Sequence, residues 1–470
     1  MPLSDITKRL MSSDGKAVKP KITKFHHALI SVVAMAVIML TAIVGYGSDP
    51  QIPLIFGSLV SGFVAMYIGY TWDEMLKGML DSIYQALEAI LILLLIGVLV
   101  GVWIASGTVP TLIYYGLTFI TAEFFLPATF IICTLVAFAI GSWGTIGTVG
   151  LAFMGIGLAL GVPAPLTAGC VISGSYFSGN ISPLSDSTNL AAAVTGGDVF
   201  GIVRRMMPVA VAGFVVAGVV YGVQGMQYAG GDPEQIAASL NPLLESLAET
   251  FFITPVALVP MIAMVVCILV KMPAIPSMLV GAIAGIFIAV PLQGAGIGDI
   301  INVGYEGYIS ETGMELLDNL LTTGGLTSMM GTISIIIIAM AFGGLMQSTG
   351  QMEALIRPIV TRMKRIGSLK AVTVLTCFVS NVILPDQYLG ISVPGQMYGE
   401  EYDKRSVSRV ELAECLLAGG GFTSPLVPWN TCGIFCATFL GVGALEYAPF
   451  AYFCLAMPLV VIATGFFRKA

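Results

Sequence analysis

Residues 88–106 read EAILILLLIGVLVGVWIAS, and after Glu88 they carry no charge. Comparable apolar runs lie near 28–46, 52–70, 204–226, 252–270, 274–293, 330–349 and 448–467. About 20 apolar residues suffice to cross a bilayer core. Within hydrocarbon every backbone group must be satisfied internally, which leaves helices or a closed barrel. A barrel strand alternates apolar and polar residues; these runs do not, so a barrel is excluded. Only 10% of the residues are charged, against roughly a quarter in a soluble domain. The expected fold class is an all-α polytopic membrane protein.

The remaining composition narrows the function. The polar segment 1–25 carries Lys8, Arg9, Lys16, Lys19, Lys21 and Lys24. The apolar run after it is too long for a secretory signal and reads as the first span. Eight Cys are scattered through apolar spans without a CxxC pair, which fits reduced packing residues. The two His, His26 and His27, open the first span and read as interfacial. No GxxxxGK[ST] signature, metal-ligand cluster or nucleophile–base pair is present, so neither an ATP-driven pump nor an enzyme is expected. No feature suggests nucleic-acid binding, and no cofactor is expected.

The chain repeats itself. SPL at 182–184 recurs at 424–426, and ILILLLIGVLVGVWIASG, ending at Gly107, is matched by ISIIIIAMAFGGLMQSTG, ending at Gly350. IPLIFGSLVSGF from Ile52 is matched by IPSMLVGAIAGIF from Ile275, and the shorter offset puts an insertion at about 294–328. Two homologous halves follow: 26–226 and 251–470, with a linker at 227–250. Each half reads as five crossings plus one hairpin. The hairpin arms are 128–142 and 145–161 in the first half, and 371–384 and 388–400 in the second. The second-half arms are roughly 13 residues each, too short for about 30 Å of hydrocarbon, so they are expected to be re-entrant.

Lys and Arg mark cytoplasmic loops. Arg204/Arg205, Lys271, Arg357 to Lys370, Lys404 to Arg409 and Arg468/Lys469 fall on one side of this threading. The acidic loops 227–250 and 294–328, which lack Lys and Arg, fall on the other. Both termini are therefore expected in the cytoplasm, and an odd number of crossings per half makes the repeats inverted. Inverted repeats with discontinuous helices mark secondary transporters.

Four irregular stretches fall at membrane depth. Two are hairpin tips, Gly141-Ser142-Trp143-Gly144-Thr145 and Leu384-Pro385-Asp386-Gln387. Two are helix breaks, SPLSDSTN at 182–189 and SPLVPWNT at 424–431. Broken backbone at this depth is tolerated where it is buried in protein or lines a cavity. Its carbonyls and hydroxyls are oxygen ligands suited to Na+. Asp186 and Asp386 are the acids in these breaks, and an intramembrane acid is a functional hypothesis by default. The competing reading is that each caps a half-helix. Ser182, Ser185, Thr188, Asn189, Asn430 and Thr431 join them as candidate cation or proton ligands. Ser142, Thr145, Gly179, Asn180, Gln387, Ser424 and Trp429 are candidate lining residues. Asp81, Glu88 and Asp198 read as interfacial, and Glu414 as a proton-path candidate.

At SPLSDSTNLA (182–191), PDQYLGISVPGQMY (385–398), TSPLVPWNTCG (423–433) and ILLLIGVLVGVWIASGTVPTLIYYGL (92–117) the chain resembles the NhaC family of Na+/H+ antiporters. The resemblance spans nearly the whole chain. It implies inverted repeats, re-entrant hairpins, a homodimer and an elevator mechanism in the cytoplasmic membrane. It also implies that Ser182, Asp186, Thr188, Asn189, Asp386, Gln387, Asn430 and Thr431 occupy the family's motif positions. Two departures stand out. Gly179 and Asn180 replace an Asp and a Lys of the usual motif, and Gln396 replaces an Arg. Some relatives carry amino acids or organic acids, and Gly179 leaves room for a larger solute. The expected function is Na+/H+ antiport by alternating access. The alternative is a Na+- or H+-coupled carrier of an amino acid or small organic acid.

Overall fold

A computed structural model describes residues 21–119, 121–182, 185–228, 233–270, 272–360, 366–384 and 386–467. The expectations for the tail up to residue 20, Lys271, Pro183, Leu184, Pro385, the basic residues Arg362, Lys364 and Arg365, and Arg468/Lys469 lie outside these residues. Among the described residues regular structure is helical, apart from one isolated bridge between Tyr308 and Thr323.

The first half contains α1 (Phe25–Leu40), α2 (Gln51–Ile68), α3 (Trp72–Ala105), α4 (Thr108–Phe119), α5 (Ala122–Thr145), α6 (Leu151–Ala159), α7 (Ala164–Gly179), α8 (Asp186–Thr195) and α9 (Val199–Met226). The segment read as a linker forms α10 (Pro233–Thr250). The second half follows with α11 (Val259–Leu269) and α12 (Ala274–Gln293). The insertion adds α13 (Ile297–Glu306) and α14 (Glu315–Leu321). Then come α15 (Met330–Ser348), α16 (Gln351–Val360), α17 (Ile366–Ile383), α18 (Gln387–Lys404), α19 (Arg409–Leu416), α20 (Thr431–Leu440), α21 (Ala444–Tyr447) and α22 (Tyr452–Phe467). Among the described residues seven helices are long and apolar enough to cross a membrane, or nine if two sharply bent pairs each count as one span. The chain is a multi-pass membrane protein.

Helix α3 departs most from the sequence reading. It starts at Trp72, not near Glu88, because Thr71 and Glu74 form a capping box. Glu74 accepts from the Thr71 amide at 2.8 Å, and Thr71 Oγ1 accepts from the Glu74 amide at 3.4 Å. Lys21 pairs with the same Glu74. Glu88 therefore lies 16 residues inside the helix, about 24 Å from its start, not at its interfacial end. Asp81 likewise lies within the helix, two turns past its start.

Helix α15 lies antiparallel along α3 through glycines that permit close approach. A Cβ on Gly78 would collide with Ser348 Oγ, and one on Gly97 would sit 2.7 Å from the Met329 side chain. The insertion closes over the far end of this pair. The Gly325 amide donates to the Gly97 carbonyl at 2.7 Å. Gly324 and Gly325 reach that contact with φ of 84° and 80°, which glycine adopts without steric cost. Within the insertion, Asp318 gathers the loop by accepting from the Thr312 amide (2.7 Å), Ser310 Oγ (2.9 Å) and the Gly313 amide (3.1 Å).

The hairpin readings are altered in length. Helix α5 breaks at Gly141, whose φ of 75° and ψ of 170° are accessible essentially only to glycine. The chain then continues through a π-helical turn at Ile146–Gly150 into α6. In the second half, α17 and α18 are 18 residues each, about 27 Å long. The roughly 13-residue arms counted only the apolar portion, so arm length alone does not argue for re-entry. Lys370, read as a water-facing flank, is the fifth residue of α17 and is 1% exposed.

Candidate functional site

The second break docks on the second hairpin tip through side-chain bonds to freed backbone. Helix α19 runs into a π-helical turn at Leu417–Gly421 and a 3-10 turn at Ser424–Leu426 before α20 begins. Trp429 Nε1 donates to the Val382 carbonyl at 2.7 Å, and Asn430 Nδ2 donates to the Asn381 carbonyl at 3.3 Å. Asn381 Nδ2 donates to the Gly420 carbonyl at 2.7 Å and to Thr423 Oγ1 at 3.0 Å. Asn430 also caps α20 by accepting the Cys432 amide at 3.1 Å. This carries out the accounting that buried backbone demands.

Asp386 sits inside this junction, 4% exposed. Its Oδ1 accepts the Tyr388 and Leu389 amides at 2.8 and 3.2 Å, capping α18. Its Oδ2 accepts the Thr431 hydroxyl at 3.0 Å. The cap and the candidate site are the same carboxylate.

The first break is knit less tightly. Ser187 Oγ donates to the Gly179 carbonyl at 2.7 Å and lies 2.9 Å from Asn180 Oδ1; Ser185 also donates to the Gly179 carbonyl. Asn189 Nδ2 donates to the Ser185 carbonyl at 2.9 Å. Asp186 opens α8 but is exposed, and the residue before it, Ser185, makes no side-chain cap. Thr188 Oγ1 and Asn180 Nδ2 are buried without a partner among the described residues, as are Ser178 Oγ, Ser380 Oγ and Asn381 Oδ1.

Gln387 joins the two breaks. Its Nε2 donates to Asn180 Oδ1 at 3.3 Å. Its Oε1 accepts Ser424 Oγ at 3.2 Å and Cys432 Sγ at 3.0 Å. Of the remaining candidates, Ser182 is buried at the edge of the first break. Thr145 donates back to the Gly141 carbonyl at 2.8 Å within its own helix. Ser142 faces Gly179, where a Cβ would lie 2.9 Å from its Oγ. The space that Gly179 opens is thus filled by Ser142, and the bare face of Gly421 is filled by Asn180, whose Oδ1 would overlap a Cβ there.

Two residues outside the candidate set belong to the site by geometry: half-buried Tyr388, whose amide caps onto Asp386, and buried Asn381, which bonds the Gly420 carbonyl and Thr423.

Glu414, the proton-path candidate, is held in a buried ion-pair cluster. Its carboxylate accepts Lys370 Nζ at 2.8 Å and Arg205 Nε at 3.0 Å, and Arg205 also reaches Glu411 at 3.2 Å. Lys370 and Glu414 are each 1% exposed, and Lys370 also donates to Thr464 Oγ1 at 3.1 Å. The cluster ties α9, α17, α19 and α22 together.

A model of the Na+/H+ antiporter family matches residues 20–188 and 174–469. The chain belongs to the Na+/H+ antiporter family. Relatives of similar length agree with the assignment. The chain is 34% identical to the Na+/H+ antiporter NhaC of Alkalihalophilus pseudofirmus, covering 92% of this chain and 93% of that one. It is 34% identical to the arginine/ornithine antiporter ArcD of Halobacterium salinarum, over 95% and 92%. It is also 34% identical to a malate-2H+/Na+-lactate antiporter of Bacillus subtilis, over 94% and 95%. The names of these relatives cover exchange of both inorganic and organic solutes.

Proposed function

We propose that this chain exchanges Na+ for H+ across the cytoplasmic membrane by alternating access, with Asp386 as the principal cation and proton site and Asp186 as the second. The observation that carries this reading is Asp386 itself. A nearly inaccessible carboxylate is held at the meeting of a hairpin tip and a helix break, oriented by three donors, two backbone amides and the Thr431 hydroxyl. Such a group can hold a proton or a bare cation, and taking up one expels the other. Ser182, Ser185, Thr188, Asn189, Asn430 and Thr431 supply further oxygens in this reading. The two inverted halves, with both termini cytoplasmic, supply the alternating access. The filled faces of Gly179 and Gly421 favour an ion over an amino acid or organic acid.

Purified protein in proteoliposomes tests the reading. An imposed Na+ gradient should move protons with no organic solute present. Proton movement that needs an added amino or organic acid would transfer the assignment to the solute-carrying branch of the family.

A further inference from the structure

Asp386 and Gln387 are consecutive, and they hold different segments. The Asp386 carboxylate takes the second break through the Thr431 hydroxyl, at 3.0 Å. Gln387 opens α18 half-buried, and its side-chain amide reaches both breaks. Nε2 donates to Asn180 Oδ1, in the first break, at 3.3 Å. Oε1 lies 3.2 Å from Ser424 Oγ and 3.0 Å from Cys432 Sγ, on either side of Asn430 and Thr431 in the second.

These contacts close into a ring. Ser424 Oγ lies 2.8 Å from the Gly421 carbonyl. The bare face of Gly421 in turn seats Asn180, whose Oδ1 would overlap a Cβ there. Asn180 Oδ1 also lies 2.9 Å from Ser187 Oγ, in the first turn of α8 beside Asp186. Asn180, Ser424 and Cys432 are each at most 1% exposed. Buried polar networks of this kind rigidify and specify one arrangement, because each member is costly to leave unpaired. The ring fixes three segments against one another: the hairpin tip that carries Asp386, the break that carries Thr431 and the break that carries Asp186.

We propose that Gln387 is a positioning residue for the exchange. By tying Asn180 to Ser424 and Cys432 it holds Thr431, and with it the Asp386 carboxylate, in the arrangement that takes Na+. The proposal rests on the exchange reading above and deepens it. Gln387 acts through Asp386 and Thr431: the ordering cost of the junction is met during folding, so Na+ meets a preformed site. The effect of losing it therefore falls on affinity, not on maximal rate.

Proteoliposome exchange with Gln387→Met tests it. Methionine is unbranched and adaptable in packing, and it removes both polar ends of the bridge. The Na+ concentration for half-maximal proton movement should rise about tenfold, with the rate at saturating Na+ retained. Asn180→Ala, which removes the far end of the bridge, should give a similar rise, and the double variant should cost little more than either change alone. A Gln387→Met protein with wild-type Na+ dependence would overturn the assignment while leaving the exchange reading intact. So would additive effects in the double variant. A lost maximal rate with unchanged half-saturating Na+, the mark of a merely structural contact, would overturn it too. A wild type that moves no protons in response to Na+ would sink the exchange reading first. Should both variants fail to insert, hydrogen exchange of the wild-type protein decides. Replacing choline chloride by NaCl should slow amide exchange in 179–189 and in 424–432 with one shared midpoint; midpoints that differ overturn the proposal.

Discussion

The two helix breaks share the tripeptide Ser-Pro-Leu but are built differently. The second is clamped: Trp429, Asn430, Thr431 and Asn381 each spend a side chain on the opposing segment, and Asp386 disappears into the junction. The first turns inward on itself, with Ser185 and Ser187 bonded to Gly179 and Asp186 left exposed. The contrast suggests a division of labour. In the proposed exchange the preorganised second break would hold the ion in fixed geometry, and the first, with Asp186 exposed, would admit and release it. Preorganisation favours affinity because the ordering cost is met during folding.

The largest effect should come from the clamped side. Asp386→Asn keeps a good capping residue at the start of α18, so the protein should insert and keep its thermal stability. Na+-driven proton movement in proteoliposomes should nonetheless fall at least ~100-fold, equivalent to about 2.7 kcal/mol. Normal transport by this variant would end the assigned role of Asp386.

Lys370→Met tests whether the clamp depends on the buried charge cluster beneath it. Removing one partner of a buried pair typically costs about 3–5 kcal/mol, because the other charge is stranded. Thermal unfolding in detergent should show a large loss. Glu414→Gln should also destabilise, by leaving buried Lys370 without its carboxylate partner. Unchanged unfolding temperatures would mean that the buried charge cluster contributes nothing to holding these helices together.

Asp186→Asn probes the open side. Because Asp186 is exposed in the first turn of α8, unfolding temperature should stay nearly the same. Half-saturating Na+ should rise about tenfold, or about 1.4 kcal/mol. A destabilised Asp186→Asn protein would erase the distinction drawn between the breaks.

The smallest effect concerns the extramembrane loop clamped by Asp318. The Thr312 amide, then the Thr312 and Ser310 hydroxyls and the Gly313 amide, hold this carboxyl below the ordinary aspartate value. A depressed folded value means the contribution is fully present above the ordinary value. It is lost only as pH falls through the lower folded value. Limited proteolysis at 310–313 should therefore be unchanged from neutral pH down to the ordinary aspartate range, and Asp318→Asn should expose the loop at neutral pH.

Much of this was legible in the linear order of residues. Charge-free runs of about 20 residues require membrane-spanning helices, because hydrocarbon offers backbone groups no other partner. The motifs SPLSDSTN and SPLVPWNT mark breaks because proline removes a donor and Ser, Thr and Asn can bond freed backbone. What the linear order could not supply was depth and pairing. Glu88 was read at the start of a span because apolarity marked the start of the helix, whereas Thr71 and Glu74 start it four turns earlier. Lys370 looked like a solvated flank, because nothing in its neighbours along the chain names Glu414, 44 residues away, as its counter-ion. The room beside Gly179 was closed by Ser142, a residue of another helix. Helix type and break position follow from local chemistry. Which carboxylate is buried and which is open depends on contacts between distant segments, and only packing decides those.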